Sequence, residues 1–169
     1  MMQKSLITKM QQIKIVLTDV DGVLTDGGMY YSKEGDVMKR FFTRDGMGVT
    51  LLRKMGIYTI IVTKEKNEII SQWAKKMKIV KLFDGILNKE TILDDIKTEF
   101  NALSSEIAYI GDDVNDLGLL KLVGVSAVPN DGILEVKKIC SYQCKQNGGY
   151  GAFREFADQI ILAKSIKDN

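Results

Sequence analysis

Short apolar runs rich in β-branched residues alternate along the chain with longer stretches whose apolar residues recur every three or four positions. The runs at 13–18 (Ile13-Lys14-Ile15-Val16-Leu17-Thr18), 57–62, 107–110 and 123–128 have few polar interruptions, the pattern of parallel strands covered on both faces. A weaker run at 80–83 predicts a fifth strand. Val49, Leu52 and Arg53 lie on a helical segment that stops at Gly56. A helix over 65–78 aligns Ile69, Ile70, Trp73 and Met77, a helix over 91–100 aligns Ile92, Leu93, Ile96 and Phe100, and 117–122 predicts a short one. Strand–helix alternation over the whole length predicts a single α/β domain, residues 1–169, with a parallel sheet and right-handed crossovers. One segment breaks the alternation. Residues 27–42 are rich in Tyr, Phe and Met around Lys33-Glu34-Gly35-Asp36 and predict an inserted β-hairpin.

Composition narrows the chemistry. The 169 residues, 45% hydrophobic and 27% charged, suit one globular domain and exclude a disordered chain. A net charge of +2 leaves no broad basic face for nucleic acid, so any anion site must be local. The chain has no histidine, which removes His-based triads, bases and metal ligands and leaves carboxylates, hydroxyls and lysines. Cys140 and Cys144 are too few for a zinc site and read as reduced structural thiols of a cytoplasmic protein. Residues 1–12 lack the apolar core of a signal peptide, and the run at 13–17 is far too short to span a bilayer, so no membrane association is expected.

In an open parallel sheet, ligands bind beyond the carboxyl ends of the strands. The first predicted strand is followed by Asp19-Val20-Asp21-Gly22, the second by Thr63, Lys64 and Glu65, and the third by Gly111-Asp112-Asp113-Val114-Asn115-Asp116; Lys89 opens the helix after the weak strand. Four carboxylates therefore converge with a hydroxyl and an ammonium. Such a cluster repels itself unless a cation compensates, and carboxylate oxygens with water are what Mg²⁺ prefers. A metal held this way can clamp a phosphate oxygen while one carboxylate attacks phosphorus to form an acyl-phosphate. Taken singly, each part has a plainer reading: Asp-x-Asp-Gly is common in turns, Asp112, Asp113, Asp116 and Thr63 suit helix starts, and Lys89 suits a solvated face. Their joint placement at the strand exits of one sheet favours the chemical reading.

Asp19-Val20-Asp21-Gly22-Val23, Thr63, Lys89 and Gly111 to Asp116 resemble the four motifs of the haloacid dehalogenase superfamily of phosphatases. With Leu24 to Gly27, Phe42-Thr43-Arg44-Asp45-Gly46-Met47-Gly48 and Gly148 to Glu155, the chain is similar, from about Ile13 to Leu162, to the capless 3-deoxy-D-manno-octulosonate 8-phosphate phosphatases and their nine-carbon sugar-acid relatives. The resemblance implies a three-layer Rossmann-like fold without a cap domain. It implies Asp19 as nucleophile and Mg²⁺ ligand, and Asp21 as general acid and then base, with its carbonyl on the metal. Thr63 and Lys89 would hold phosphate oxygens, Asp112 would complete the metal shell, and Asp113, Asn115 and Asp116 would support it. Thr43, Arg44, Asp45, Gly46, Glu65, Lys76 and Arg154 are the implied substrate-binding residues. The resemblance implies a homotetramer in which the inserted hairpin and a C-terminal tail, residues 145–169, complete a neighbour's site, and the apolar Met29, Tyr30, Tyr31, Val37 and Met38 fit that arrangement. Gly148 to Gly151 has the backbone freedom to enter a crowded anionic pocket, and Arg154 either clamps an anion or pairs along a helix.

Some positions depart from the pattern. Lys64 stands where Gly is usual, Glu65 where the eight-carbon enzymes carry Arg, and Thr50 and Trp73 stand at positions that supply basic contacts there. Glu65 with Lys76 points toward nine-carbon, sialic-acid-type 9-phosphates, unless the two are merely a helix-face pair; Arg44-Asp45-Gly46 points to the eight-carbon group. The expected activity is therefore Mg²⁺-dependent hydrolysis of 3-deoxy-D-manno-octulosonate 8-phosphate, with the nonulosonate 9-phosphate as alternative substrate and an inactive oligomerisation module as the non-enzymatic alternative. A phosphoacceptor receiver domain fits less well, because its accepting Asp and its acid pair follow different strands from those seen here.

Overall fold

The structure, a computed structural model, describes residues 3–166. Helix α1 (Lys4–Gln11) leads into β1 (Ile15–Thr18), and the inserted hairpin follows as β2 (Tyr30–Ser32) and β3 (Gly35–Met38). Next come α2 (Thr43–Lys54), β4 (Tyr58–Val62), α3 (Glu68–Met77) and β5 (Lys81–Phe83), then a 3₁₀ turn (Lys89–Ile92) that runs into α4 (Leu93–Glu99). The remainder is β6 (Ile107–Ile110), α5 (Leu117–Leu120), β7 (Val125–Val128), α6 (Leu134–Ile139), β8 (Tyr142–Gln143) and α7 (Ala152–Ser165).

Six strands form one parallel sheet in the order β5-β4-β1-β6-β7-β8. From β1 the chain builds outward through β4 and β5, then crosses back to β6 on the other side of β1. The carboxyl ends of β1 and β6 therefore flank the point where winding reverses, and a crevice opens there. Successive β1 residues serve opposite layers. Val16 joins Met10, Leu52, Ile70 and Phe156 beneath α1, α2, α3 and α7, whereas Ile15 and Leu17 join Ile96, Tyr109, Leu120 and Val136 beneath α4, α5 and α6. Burial on both faces is why these strands are apolar without alternation.

The predicted strands and central helices are present with trimmed ends. Helix α3 starts at Glu68 rather than 65 because the Asn67 side chain accepts the Ile69 N–H at 2.8 Å and caps it. Glu65 thus lies on a loop, not on a helix face.

The reading of 145–169 as a tail needs correction. Most of it is α7, whose Phe153, Phe156, Ala157, Ile160 and Ala163 are fully buried at helical spacing in the main core. Helices α1 and α6 and strand β8 were not expected either. The glycines before α7 pack on their own chain: a Cβ at Gly148 would lie 1.8 Å from the Gly22 carbonyl oxygen, and the Gly149 N–H donates to the Val23 carbonyl at 2.9 Å. Close backbone approach explains them, so the segment is a brace for the β1 exit loop. Phe156→Ala should lower unfolding free energy by about 3–5 kcal/mol in urea titration, as for a core aromatic; a change below about 0.5 kcal/mol would return the segment to the periphery.

Candidate active site

Each acidic residue is placed by a strand end. The Asp19 N–H donates to the Ile110 carbonyl at 3.0 Å as β1 finishes, and the Val23, Leu24 and Thr25 N–H groups then fold back onto the Val20 carbonyl. Gly22, at φ +85°, lets this turn close, and any Cβ there would strike the Asp112 carboxylate at 2.1 Å. Asp19, Asp21, Thr63, Glu65, Asp112, Asp113 and Asn115 share one cavity of about 340 Å³.

Below its floor runs a buried charge relay. Lys89 is 0% exposed, and its ammonium donates to Asp19 Oδ1 at 2.8 Å, Asp116 Oδ1 at 2.7 Å and the Tyr109 hydroxyl at 3.2 Å. Tyr109 donates in turn to Asp116 Oδ1, and Asp116 Oδ2 accepts the Asp112 N–H at 2.8 Å and the Asp113 N–H at 3.2 Å. A buried ion pair persists only when its remaining hydrogen-bonding capacity is met, and this one is. All three Lys89 donors meet protein acceptors here, and the ammonium orients and partly neutralises Asp19. Tyr109 was missed by sequence reading, although a lone hydroxyl in an aliphatic strand run was the available signal.

A cation fits the remaining groups. Carboxylate oxygens of Asp19, Asp112 and Asp116 lie within 4.8 Å of one another, comparable to the span of two Mg²⁺–oxygen bonds of about 2.1 Å each. Asp116 is saturated by the bonds above, whereas Asp112 Oδ1 is buried with no hydrogen-bond partner among the described residues. Asp19 and Asp112 are therefore the side chains that would hold a metal. Asp113 accepts the Val114 N–H at 2.7 Å and caps the following turn.

Asp21 Oδ1 accepts from Thr25 Oγ1 at 3.1 Å and from Lys39 Nζ at 2.8 Å, while Asp21 Oδ2 is buried and unpartnered among the described residues. Lys39 reaches in from the hairpin and had no local sequence signal. Burial disfavours its ammonium, but Asp21, Asp36 and Glu65 outweigh that and keep it charged.

Of the substrate-binding candidates, only Glu65 lines this cavity. Arg44 and Arg154 line a separate cavity of about 640 Å³ with Tyr142, Lys145 and Tyr150, and Arg154 pairs with Asp158 at 2.8 Å along α7. Asp45 is buried and accepts the Arg154 N–H at 2.8 Å, tying α2 to the start of α7. Thr43, Gly46 and Lys76 line a third cavity, of about 370 Å³, with Trp73 and Met77. Within one chain these residues stand apart from Asp19. Glu65 and Lys76 thus line different cavities, and Trp73 stacks on Phe41 at 4.6 Å.

Comparison with known proteins gives a consistent picture. Residues 52–154 match the family described as haloacid dehalogenase-like hydrolase. The 3-deoxy-D-manno-octulosonate 8-phosphate phosphatase of Haemophilus influenzae is 36% identical over 156 residues, covering 92% of this chain and 87% of that protein. The structure of the cobalt-bound form from that organism superposes with a TM-score of 0.90 over 92% of this chain and 91% of its own. The corresponding enzyme of Moraxella catarrhalis, crystallised with magnesium ion, phosphate ion and a KDO molecule, is 31% identical with a TM-score of 0.92, covering 96% of this chain and 93% of its own.

The carboxylates are electrostatically loaded. Burial, reinforced by Asp116 and opposed by Lys89, raises Asp19 from 3.8 to about 7; burial together with Asp19 and Asp116 raises Asp112 to about 8. Folded-state values above the unfolded value mean that, without metal, the stability contributed by these two groups is full below about pH 4 and is lost as pH rises toward 7 and 8. A cation binds the ionised pair and should restore what is lost. Thermal unfolding should show a larger magnesium-induced rise in Tm at about pH 8.5 than at about pH 5. Equal shifts at both would mean that these two groups gain no cation on ionising.

Proposed function

The chain belongs to the haloacid dehalogenase-like hydrolases, and from that premise we propose that it is a phosphomonoesterase that hydrolyses 3-deoxy-D-manno-octulosonate 8-phosphate to the free sugar acid and phosphate. The observation that carries this reading is the single cavity lined by Asp19, oriented by buried Lys89, and by Asp21 and Asp112, each of which keeps one carboxylate oxygen without a partner among the described residues.

Asp19 Oδ1 is held by the Val20 N–H at 2.7 Å and by Lys89, which leaves Oδ2 to attack phosphorus. As that bond forms, the bond from phosphorus to the sugar oxygen breaks, and Asp21 delivers a proton to the departing oxygen. Asp21 then takes a proton from water, the water oxygen attacks the aspartyl-phosphate, and the Asp19 carboxylate is released with inorganic phosphate. The Thr63 hydroxyl, buried just after β4, would donate to a phosphate oxygen. Mg²⁺, held by Asp19, Asp112 and the Asp21 carbonyl, would supply charge neutralisation at the phosphate. Asp116 and Asp113 act on the ligands rather than on substrate, one by orienting Lys89 and the backbone of Asp112, the other by capping the turn; Asn115 faces the cavity.

The same reading takes residues 1–169 as one domain acting as a homotetramer. Supporting it, the hairpin exposes Met29 (73%), Tyr31 (60%), Val37 and Met38, an apolar edge that a neighbour would cover. The remote cavity of Arg44 and Arg154 would then serve a neighbouring copy. No described helix is long and apolar enough to cross a membrane, and both cysteines are free thiols, which suits a cytoplasmic enzyme.

Phosphate release from a panel of eight- and nine-carbon sugar-acid phosphates should be fastest with the octulosonate, vanish with chelator, and fall by roughly ten-thousand-fold or more in Asp19→Asn. A preference for a nine-carbon substrate would replace the substrate assignment. Undiminished turnover in Asp19→Asn would remove the mechanism.

A further inference from the structure

Hairpin lysines ordinarily run their stems along the surface and leave the ammonium in water. Lys39, immediately after β3, does the opposite: its side chain is only 6% exposed, and Nζ lies 2.8 Å from Asp21 Oδ1 and 3.8 Å from Asp36 Oδ2. Asp36 is itself held by Asn67 Nδ2 at 2.9 Å, and Asn67 is the residue that caps α3. Strand β3 is thereby strapped between a core helix and the catalytic loop, while the hairpin's outer residues face solvent.

The contact with Asp21 is asymmetric. Lys39 and Thr25 both donate to Oδ1, which leaves Oδ2, a buried atom, as the one oxygen of that carboxyl without a hydrogen-bond partner among the described residues. With Oδ1 held from two directions, rotation of the carboxyl is restrained. We propose that Lys39 is a positioning residue that holds the Asp21 carboxyl with Oδ2 toward the leaving sugar oxygen, so that seating of the hairpin governs leaving-group protonation. This rests on the phosphatase reading above.

The alternative use of Lys39, direct capture of a substrate anion, fits less well, because its ammonium already faces Asp21 and Asp36. The two roles separate kinetically. A sugar alkoxide is a poor leaving group and needs the proton; p-nitrophenolate leaves without one. In Lys39→Met, which keeps the stem and removes the donors, kcat on the octulosonate 8-phosphate should fall on the order of a hundredfold with little change in KM, as when general acid catalysis is impaired. Turnover of p-nitrophenyl phosphate should fall by no more than roughly threefold, and Lys39→Arg should recover part of the sugar-phosphate rate. Thr25→Val, which removes the other donor to Oδ1, should show the same divergence between substrates and carries the test if the Met variant lacks a cooperative melt. Parallel losses on both substrates, or a rise in KM at constant kcat, overturn the proposal. Wild-type protein that hydrolyses neither substrate overturns the phosphatase reading instead, so the two failures are distinguishable.

Discussion

Everything at the strand ends depends on one buried ammonium. Lys89 lies between Asp19 and Asp116 with no access to solvent, and each of its donors has an acceptor. Without that cation, two carboxylates would face each other in a desolvated floor, an arrangement that proteins relieve by protonating one of them. With it, Asp19 is aimed and partly neutralised, yet burial still holds its pKa near 7. The site is thus left short of positive charge where a divalent ion and a phosphate would meet. Stability is given up at this edge and regained on ligand binding, a common feature of sites arranged for charge that arrives with the substrate.

The same network joins layers of the fold that are remote in sequence. Tyr109 comes from β6, Lys89 from the turn before α4, Asp19 from the end of β1 and Asp116 from the turn before α5. Asp116 reaches further, accepting the N–H groups of Asp112 and Asp113 and so fixing the backbone from which the candidate metal ligand Asp112 projects. Glycines complete the construction by absence of bulk. Gly22 leaves room for the Asp112 carboxylate, and Gly148 lies directly on the Gly22 carbonyl. The segment before α7 is in this way a structural neighbour of the catalytic loop.

The parts that could be read along the chain were those with a local physical cause. Double-sided burial forces continuous apolar runs, so the five strands of the six-stranded sheet other than β8 were visible, as were the Asp, Thr and Lys positions at their exits. Helix α7 carried an equally clear signal at Phe153, Phe156, Ala157, Ile160 and Ala163, overshadowed by the glycines before it, which suggested an extended tail. Lys39, by contrast, stands beside Arg40 between Val37-Met38 and Phe41-Phe42, and nothing in that order tells which of the two cations turns inward. Arg44 and Asp45 show the converse. Their motif was visible, but one faces a different cavity and the other anchors α7.

Strand periodicity and the order of acidic residues along the chain were enough to determine an α/β sheet, an anionic edge and the candidate nucleophile, because each follows from short-range pattern and from the rule that ligands meet parallel sheets at their carboxyl ends. Only the tertiary structure decided which oxygen of each carboxylate is already engaged. It also decided that Lys89 serves Asp19 rather than solvent, and that a hairpin lysine completes Asp21. Those outcomes depend on distances between segments tens of residues apart, and a hydrogen bond made or missed by an ångström leaves no trace in local sequence pattern.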